Sequence, residues 1–217
     1  MRVVIVGAGG HGQVVADVLL SARRAGSDWE PTGFVDDNPA LLGRSFLALP
    51  VIGLVETLGT IPHDGVVVAI GDNHLRRSIF DLLQQRGEHF IIARHPSAVI
   101  ASDVELGPGT MICAAVVVNT GTTIGSNVIL NTACSIDHHN RIGDHVHVGP
   151  GTRAGGAVTV ERSALIGIGA TIMPGRTIGA NSVVGAGALV HQDVGDATVV
   201  VGVPARPVRK NMFLNTT

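Results

Sequence analysis

The chain changes its hydrophobic rhythm near residue 95. Before that point, short runs of β-branched residues alternate with stretches whose apolar positions recur at helical spacing. Arg2–Val6 reads as a buried strand. Gly7-Ala8-Gly9-Gly10-His11-Gly12 interrupts it, and Val14, Val15, Val18, Leu19 and Leu20 then trace one face of a helix. Phe34-Val35 reads as a second strand ending at Asp36-Asp37. Residues 66–70 read as a third, closing on Gly71-Asp72-Asn73. A helix over 73–86 carries Ile79, Leu82 and Leu83 on one side, and residues 90–93 read as a last strand. Strands alternating with helices predict a small parallel, Rossmann-like βαβ domain. It is about half the size of a complete dinucleotide-binding fold.

Beyond His95-Pro96 the period becomes six. Every sixth residue from Ile100 to Val190 is aliphatic, sixteen positions in unbroken register. Glycine follows eight of them (107, 125, 143, 149, 155, 167, 179 and 185), and a small or β-branched residue often sits two places before, as at Thr110, Val116 and Cys134. No helix has this period, and an antiparallel strand does not require one residue type at every sixth place. A hexapeptide β-solenoid does: each unit is one short strand and one turn, with the aliphatic side chain pointing into a triangular prism and glycine relieving the turn. Three units make a coil, so about five coils fit between residues 98 and 190. The expected organisation is α/β followed by parallel β-helix: residues 1–95, 96–195, and a C-terminal tail over 196–217.

Composition narrows the class. The chain has 217 residues, 45% of them hydrophobic and 15% charged, which excludes disorder. No apolar run approaches the ~18 residues of a membrane span. The N-terminus turns polar and glycine-rich too soon for a signal peptide, so a soluble cytoplasmic protein is expected. A net charge of −2, five Phe, one Trp and no Tyr give no footprint for nucleic acid. Two cysteines, Cys113 and Cys134, make neither a disulfide framework nor a four-ligand zinc site. Cys134 falls in the small-residue register and is expected in the core.

Two segments carry chemistry. Gly7 to Gly12 fits G-x-G-x-x-G between a strand and a helix, where free helix N-terminal N–H groups cradle phosphate. Asp36 follows where a ribose-reading carboxylate would sit. The motif alone leaves an NAD site, a nucleotide-sugar site and a structural loop open. The second segment places four histidines, His138, His139, His145 and His147, within ten residues. None is in the inward register, so all four are expected to face solvent or a neighbouring subunit, His139 and His145 as ordinary solvated side chains. A zinc-dependent hydratase of the gamma carbonic anhydrase type is the different-class reading. Such enzymes use a His-x₄-His pair, and no two of these four positions differ by five.

The repeat resembles the left-handed β-helix of hexapeptide acyltransferases, and Gly202-Val203-Pro204-Ala205-Arg206 is similar to their terminal G-x-P-A-K/R signature. The Gly-Gly-His-Gly segment, Gly71-Asp72-Asn73, His95-Pro96-Ser97-Ala98 and Asp137-His138 resemble one branch, the nucleotide-amino-sugar N-acetyltransferases with the related sialic acid O-acetyltransferases. The resemblance implies a homotrimer with active sites between subunits and acetyl-CoA as co-substrate, with no metal. It implies that a nucleotide-linked amino-dideoxy sugar, with a 4-amino group expected, binds along Gly9, Gly10, His11, Asp36, Asp37, Gly71 and Asn73. His138 takes the place of the general base, which suits an imidazole near neutral pH, and Asn131 that of a polar residue near the acceptor. His147 matches a histidine that contacts acetyl-CoA.

An acidic residue usually follows the base in this branch. Here it is His139, which leaves Asp137 or Asp144 as the carboxylate that orients the ring. Gly156 lies 18 residues, one coil, beyond His138, so its amide is the candidate oxyanion donor. The remaining coenzyme contacts are expected along Ile168, Ala186, Pro204 and Arg206, the last meeting a phosphate. O-acetylation of a sialic acid or another sugar is the alternative reaction in the same fold, and a purely structural solenoid remains a third reading.

Overall fold

The computed structural model describes residues 1–211; Phe213 and its neighbours lie outside the described residues. The N-terminal region is built from strand β1 (Arg2–Val6), helix α1 (Gly10–Arg24), strands β2 (Glu30–Val35), β3 (Ser45–Phe46), β4 (Leu49–Gly53) and β5 (Gly65–Val68), and helix α2 (Asn73–Gln85). The sheet runs β3-β4-β2-β1-β5 and is parallel except for the β3–β4 hairpin. Strands β1 and β5 are nearly continuous valine and isoleucine because both faces are covered. Successive side chains of β1 point to opposite sides: Val3 and Ile5 pack with Val15 and Leu19 of α1, and Val4 and Val6 with Phe80 and Leu83 of α2.

Residues 90–93 do not form the expected last strand of this sheet. Phe90 makes one isolated bridge to Val66, and Ala93–Arg94 pairs instead with Met111–Ile112. The apolar run reads as one strand, but its two ends belong to different sheets.

From Ala93–Arg94 to Leu189–Val190 the chain forms seventeen two-residue strands, one every six residues, winding a left-handed parallel β-helix with three sheets. We call these face A (containing Ser135–Ile136), face B (Arg141–Ile142) and face C (His147–Val148). The inward register stacks at intervals of one coil: Ile124, Ile142, Val160 and Ile178 pair in succession on face B. Cys113 and Cys134 join that core, and burial pushes their thiols up to about 11 and about 12. Face C is capped by Thr198–Val201, which adds to Val183–Val184 and turns back as Arg206–Lys210.

The glycines after the inward aliphatics serve a different purpose from the one expected. The left-handed turn residue comes two places later: every sixth residue from Gly109 to Gly187 has φ between +54° and +73°, including Asn127, His139 and His145. At Gly125 the constraint is the next coil, because a Cβ there would lie 2.5 Å from Asp144 Oδ1 and 2.8 Å from its backbone nitrogen.

Outward residues of face C line up as Ala93, Met111, Ile129, His147, Leu165 and Val183. The N-terminal region docks on this column. Met111 and Ile129 are 1% and 0% exposed and belong to the same core as α1 and Ile91. His147 is the polar member of the column, one coil above that contact.

Candidate active site

The glycine loop forms one wall of a cleft of about 360 Å³ lined by Gly9, Gly10, His11, Asp36, Asp37 and Gly71, with Ile70, Leu75 and Ile79 as its apolar side. Each motif glycine has a separate reason. Gly7 has φ +104°, and a Cβ there would press on Ala69 O at 3.1 Å. Gly12 packs against the carbonyl of Gly7, where a side chain has no room. Gly9 and Gly10 have open space around them. Gly9 caps α1 without a side-chain acceptor, so the free N–H groups of the first turn are available to an anion. Asp36 Oδ2 accepts from Ala8 N at 2.7 Å and Asp37 Oδ1 from Val55 N at 2.9 Å, so both carboxylates brace loops around the cleft.

His11 lines the cleft, and the His147 ring of the solenoid lies behind it, tilted by 35° with centroids 6.2 Å apart. His147 Nδ1 lies 3.2 Å from Gly71 O and its Nε2 3.2 Å from Asn131 Nδ2. Since the carbonyl accepts and the amide NH₂ donates, the proton belongs on Nδ1. Burial lowers both histidines to about 4; the His147 ring adds to this at His11, and the Arg76 charge acts on both. Both are neutral at physiological pH, and His11 Nε2 is buried without a hydrogen-bond partner.

Arg76 is a residue of this site that no sequence motif marks. It is fully buried beneath the cleft, and its guanidinium reaches His145 O (2.7 Å), Asn73 Oδ1 (2.8 Å), Ile70 O (3.1 Å), Asn127 O (3.2 Å) and Gly71 O (3.4 Å). Burial lowers it to about 9, still charged at neutral pH. It ties α2, the Gly71 turn and two coils of the solenoid together. The sequence does carry a signal: Arg76, Phe80 and Leu83 fall at i, i+4 and i+7 on the buried stripe of α2. Asn73 faces the same seam, donating to Ser163 O and Ala164 O, and lies outside the lining of the glycine-loop cleft.

His145 and His147 therefore depart from the expectation that they face solvent or another subunit. His145 is half-buried under α2, 2.9 Å from Asn127 Nδ2 and edge-on to Phe80, and burial lowers its pKa. The cause is the docking of α2 over the corner between faces B and C.

His138 stands elsewhere, exposed on the corner between faces A and B. Its ring lies against Gly156, where a Cβ would be 2.5 Å from Nε2. The bonds Gly155 N to Ile172 O and Ala157 N to His138 O (both 2.9 Å) hold the Gly156 peptide in place. Asp137 Oδ1 accepts from Asn119 Nδ2 (3.0 Å) and from His138 N (2.8 Å), which holds its carboxyl below the usual range. The side chain hydrogen-bonded to the His138 ring is His139, with the two Nδ1 atoms 3.0 Å apart. Asp144 Oδ1 accepts from Ser126 N on the coil below. Ile168 and Ala186 stack on the third corner, between faces C and A, with Gly187 N donating to Ile168 O at 2.8 Å. Arg206 contacts His191 Nε2 at 3.1 Å, two residues beyond Pro204 in the tail. Among the described residues, no group of three or more His, Cys, Asp or Glu side chains could hold a metal ion, and no helix is long and apolar enough to cross a membrane.

A glycine-loop cleft lined by His11, joined to a hexapeptide β-helix, is an acetyltransferase type of architecture. Comparison with known proteins agrees. Residues 2–83 match the PglD N-terminal domain and residues 157–192 the bacterial transferase hexapeptide (six repeats). PerB from Caulobacter crescentus, solved with CoA and GDP-perosamine, is 37% identical with a TM-score of 0.87, covering 96% of this chain and 98% of that one. The acetyltransferase domain of PglB from Neisseria gonorrhoeae, solved with acetyl coenzyme A, is 30% identical with a TM-score of 0.87, covering 95% and 98%. The UDP-N-acetylbacillosamine N-acetyltransferase of Bacillus subtilis is 35% identical over 112 residues, 51% of this chain and 50% of that protein. The chain thus spans half or less of the length of such curated relatives. It belongs to the hexapeptide-repeat acetyltransferases, in the branch that carries the PglD N-terminal domain and includes PerB and PglB.

Proposed function

We propose that this protein transfers the acetyl group of acetyl-CoA to the amine of a nucleotide-linked amino-dideoxy sugar. The observation that carries the reading is the glycine-loop cleft lined by uncharged His11 and Gly71, with uncharged His147 next to both and bonded to Asn131. The cleft suits a nucleoside diphosphate at the α1 N-terminus, with the sugar reaching toward the solenoid. Neutral imidazoles at that end do not repel a sugar that carries an ammonium group. Residues 1–95 are assigned to the nucleotide sugar, 96–195 to acyl transfer and 196–217 to the coenzyme tail, and the reaction is assigned to the cytoplasm, where acetyl-CoA is available.

In the transfer, the free amine attacks the thioester carbonyl and His138 Nε2 takes the ammonium proton as the C–N bond forms. The Gly156 N–H stabilises the oxyanion. Collapse breaks the C–S bond, and the His138 imidazolium returns its proton to the departing thiolate, so coenzyme A leaves as the thiol. Within one chain, His138 lies on the corner opposite face C, to which the cleft is attached. This supports a homotrimer in which the His138–Gly156 corner of one subunit meets the cleft and the Ile168–Ala186 corner of the next, with coenzyme A between them.

The test is thiol release from acetyl-CoA against nucleotide-linked 3- and 4-amino sugars and free sialic acid. Release with an amino sugar is expected, and His138→Ala should lower turnover at least ~10²-fold. Release with sialic acid alone would move the assignment to O-acetylation, and full activity of His138→Ala would remove its role as base.

A further inference from the structure

We propose that His139 is the positioning residue of the base, so that this protein runs its acyl transfer on an imidazole–imidazole dyad. The inference rests on the reading of His138 as base and deepens it. The two Nδ1 atoms are 3.0 Å apart with the rings at 80°, so one nitrogen donates and the other accepts. His138 presents Nε2 toward Gly156 and must keep it unprotonated to act. Its own proton then sits on Nδ1 and is donated to His139 Nδ1, which places the proton of His139 on Nε2.

His139 is itself held in place. It occupies a left-handed turn position with φ +57°, and its imidazole lies over Gly121, where a Cβ would come within 2.7 Å of Cδ2. The coil below supplies only the uncharged Asn119, Thr120 and Gly121, and the coil above Gly156 and Ala157. The charged groups around the pair are Asp137, bound to Asn119 and the His138 backbone, and Asp103, whose Oδ2 accepts from Thr120 Oγ1 and Gly121 N. The carboxylates thus hold the backbone of the turns while a second imidazole holds the ring.

The arrangement has a chemical consequence. When His138 Nε2 takes the amine's proton, its Nδ1–H bond to His139 becomes charge-assisted and strengthens. When His139 takes a proton instead, both of its nitrogens become donors. His139 Nδ1 then donates to His138 Nδ1, the His138 proton moves to Nε2, and the base is blocked.

The experiment compares wild type, His138→Ala, His139→Ala and His139→Asp in the assembled enzyme, reading kcat, KM for the amino-sugar substrate and the pH dependence of kcat/KM. Ala115, Ala133 and Ala157 occupy equivalent turn positions, so His139→Ala keeps the coil. Its expected effect is a roughly tenfold loss of kcat, a part of the ~10²–10⁴ a general base supplies, with KM nearly unchanged. His139→Asp should restore kcat and move the acid limb to higher pH, because a carboxylate favours the charged imidazolium. A loss in His138→Ala without any change of kcat or pH profile in the His139 variants would overturn the dyad and leave the base assignment standing. Activity retained in His138→Ala would overturn the base assignment and the dyad with it.

Discussion

Arg76→Met tests how the two regions are held together. The guanidinium is 0% exposed and serves four backbone carbonyls and Asn73 Oδ1, at 2.7–3.4 Å. Methionine fills much of the volume and satisfies none of these acceptors. Gly71 O keeps His147 as a donor, so the loss falls on His145 O, Asn127 O, Ile70 O and the part-buried Asn73 Oδ1. A buried acceptor left unpaired costs about 1–3 kcal/mol, and removing a desolvated charge returns part of that. The net expectation is about 3 kcal/mol of destabilisation, or roughly 6–12 °C in Tm for a chain of this size.

The single tryptophan, Trp29, packs against the α1 core, so its fluorescence reports the N-terminal region while far-UV circular dichroism also follows the solenoid. Arg76→Met should shift the fluorescence transition to lower urea and separate it from the solenoid transition. Unchanged or increased stability would mean that burying the charge costs more than its five contacts return, and the account of Arg76 as the tie between the two regions would be wrong.

Other expectations follow from the same geometry. His11 and His147 are lowered to about 4 in the folded chain, so the unfolded chain binds more protons below about pH 6.5. Stability should therefore fall as pH drops from about 6.5 toward 4, by up to ~1.4 kcal/mol per pH unit for each histidine. His145 acts in the same sense. A urea midpoint equal at pH 7.5 and 5, or a slope unaffected by His11→Asn with His147→Asn, would contradict this. His63 titrates upward: burial opposes the shift, but Ile61 O and Glu88 outweigh it, so its contribution is present below about pH 6.5 and lost only as pH rises through its folded value. Gly125→Ala drives a Cβ to within 2.8 Å of the Asp144 backbone nitrogen and should cost about 1–3 kcal/mol in thermal unfolding; an unchanged melting temperature would refute the close contact with the next coil. Ile142, 3% exposed in the prism, should not tolerate Asp; a loss of at least ~4 kcal/mol is expected, and an unchanged melting temperature would refute the inward register.

The sequence by itself determined the solenoid, because the inward register is a local property repeated every six residues, and each repeat restates it. It also marked the glycine loop, since a strand, a tight turn and a helix N-terminus are contiguous in the chain. It misassigned residues 90–93 and the glycines after the aliphatics. In both cases the deciding contact lies with another coil, 18 residues away. What the tertiary structure decided was the company of the outward-facing residues. The six-residue period says nothing about which face receives the N-terminal region. That choice is made by Met111 and Ile129, one coil apart in an apolar column whose next member is His147. Reading the outward positions at intervals of 18 would have exposed that column. Docking there brings His11 within 6.2 Å of a histidine 136 residues later, buries Arg76 against the solenoid and covers His145. The same rigid docking leaves His138 on the opposite corner, because three flat faces allow only one corner to lie opposite face C.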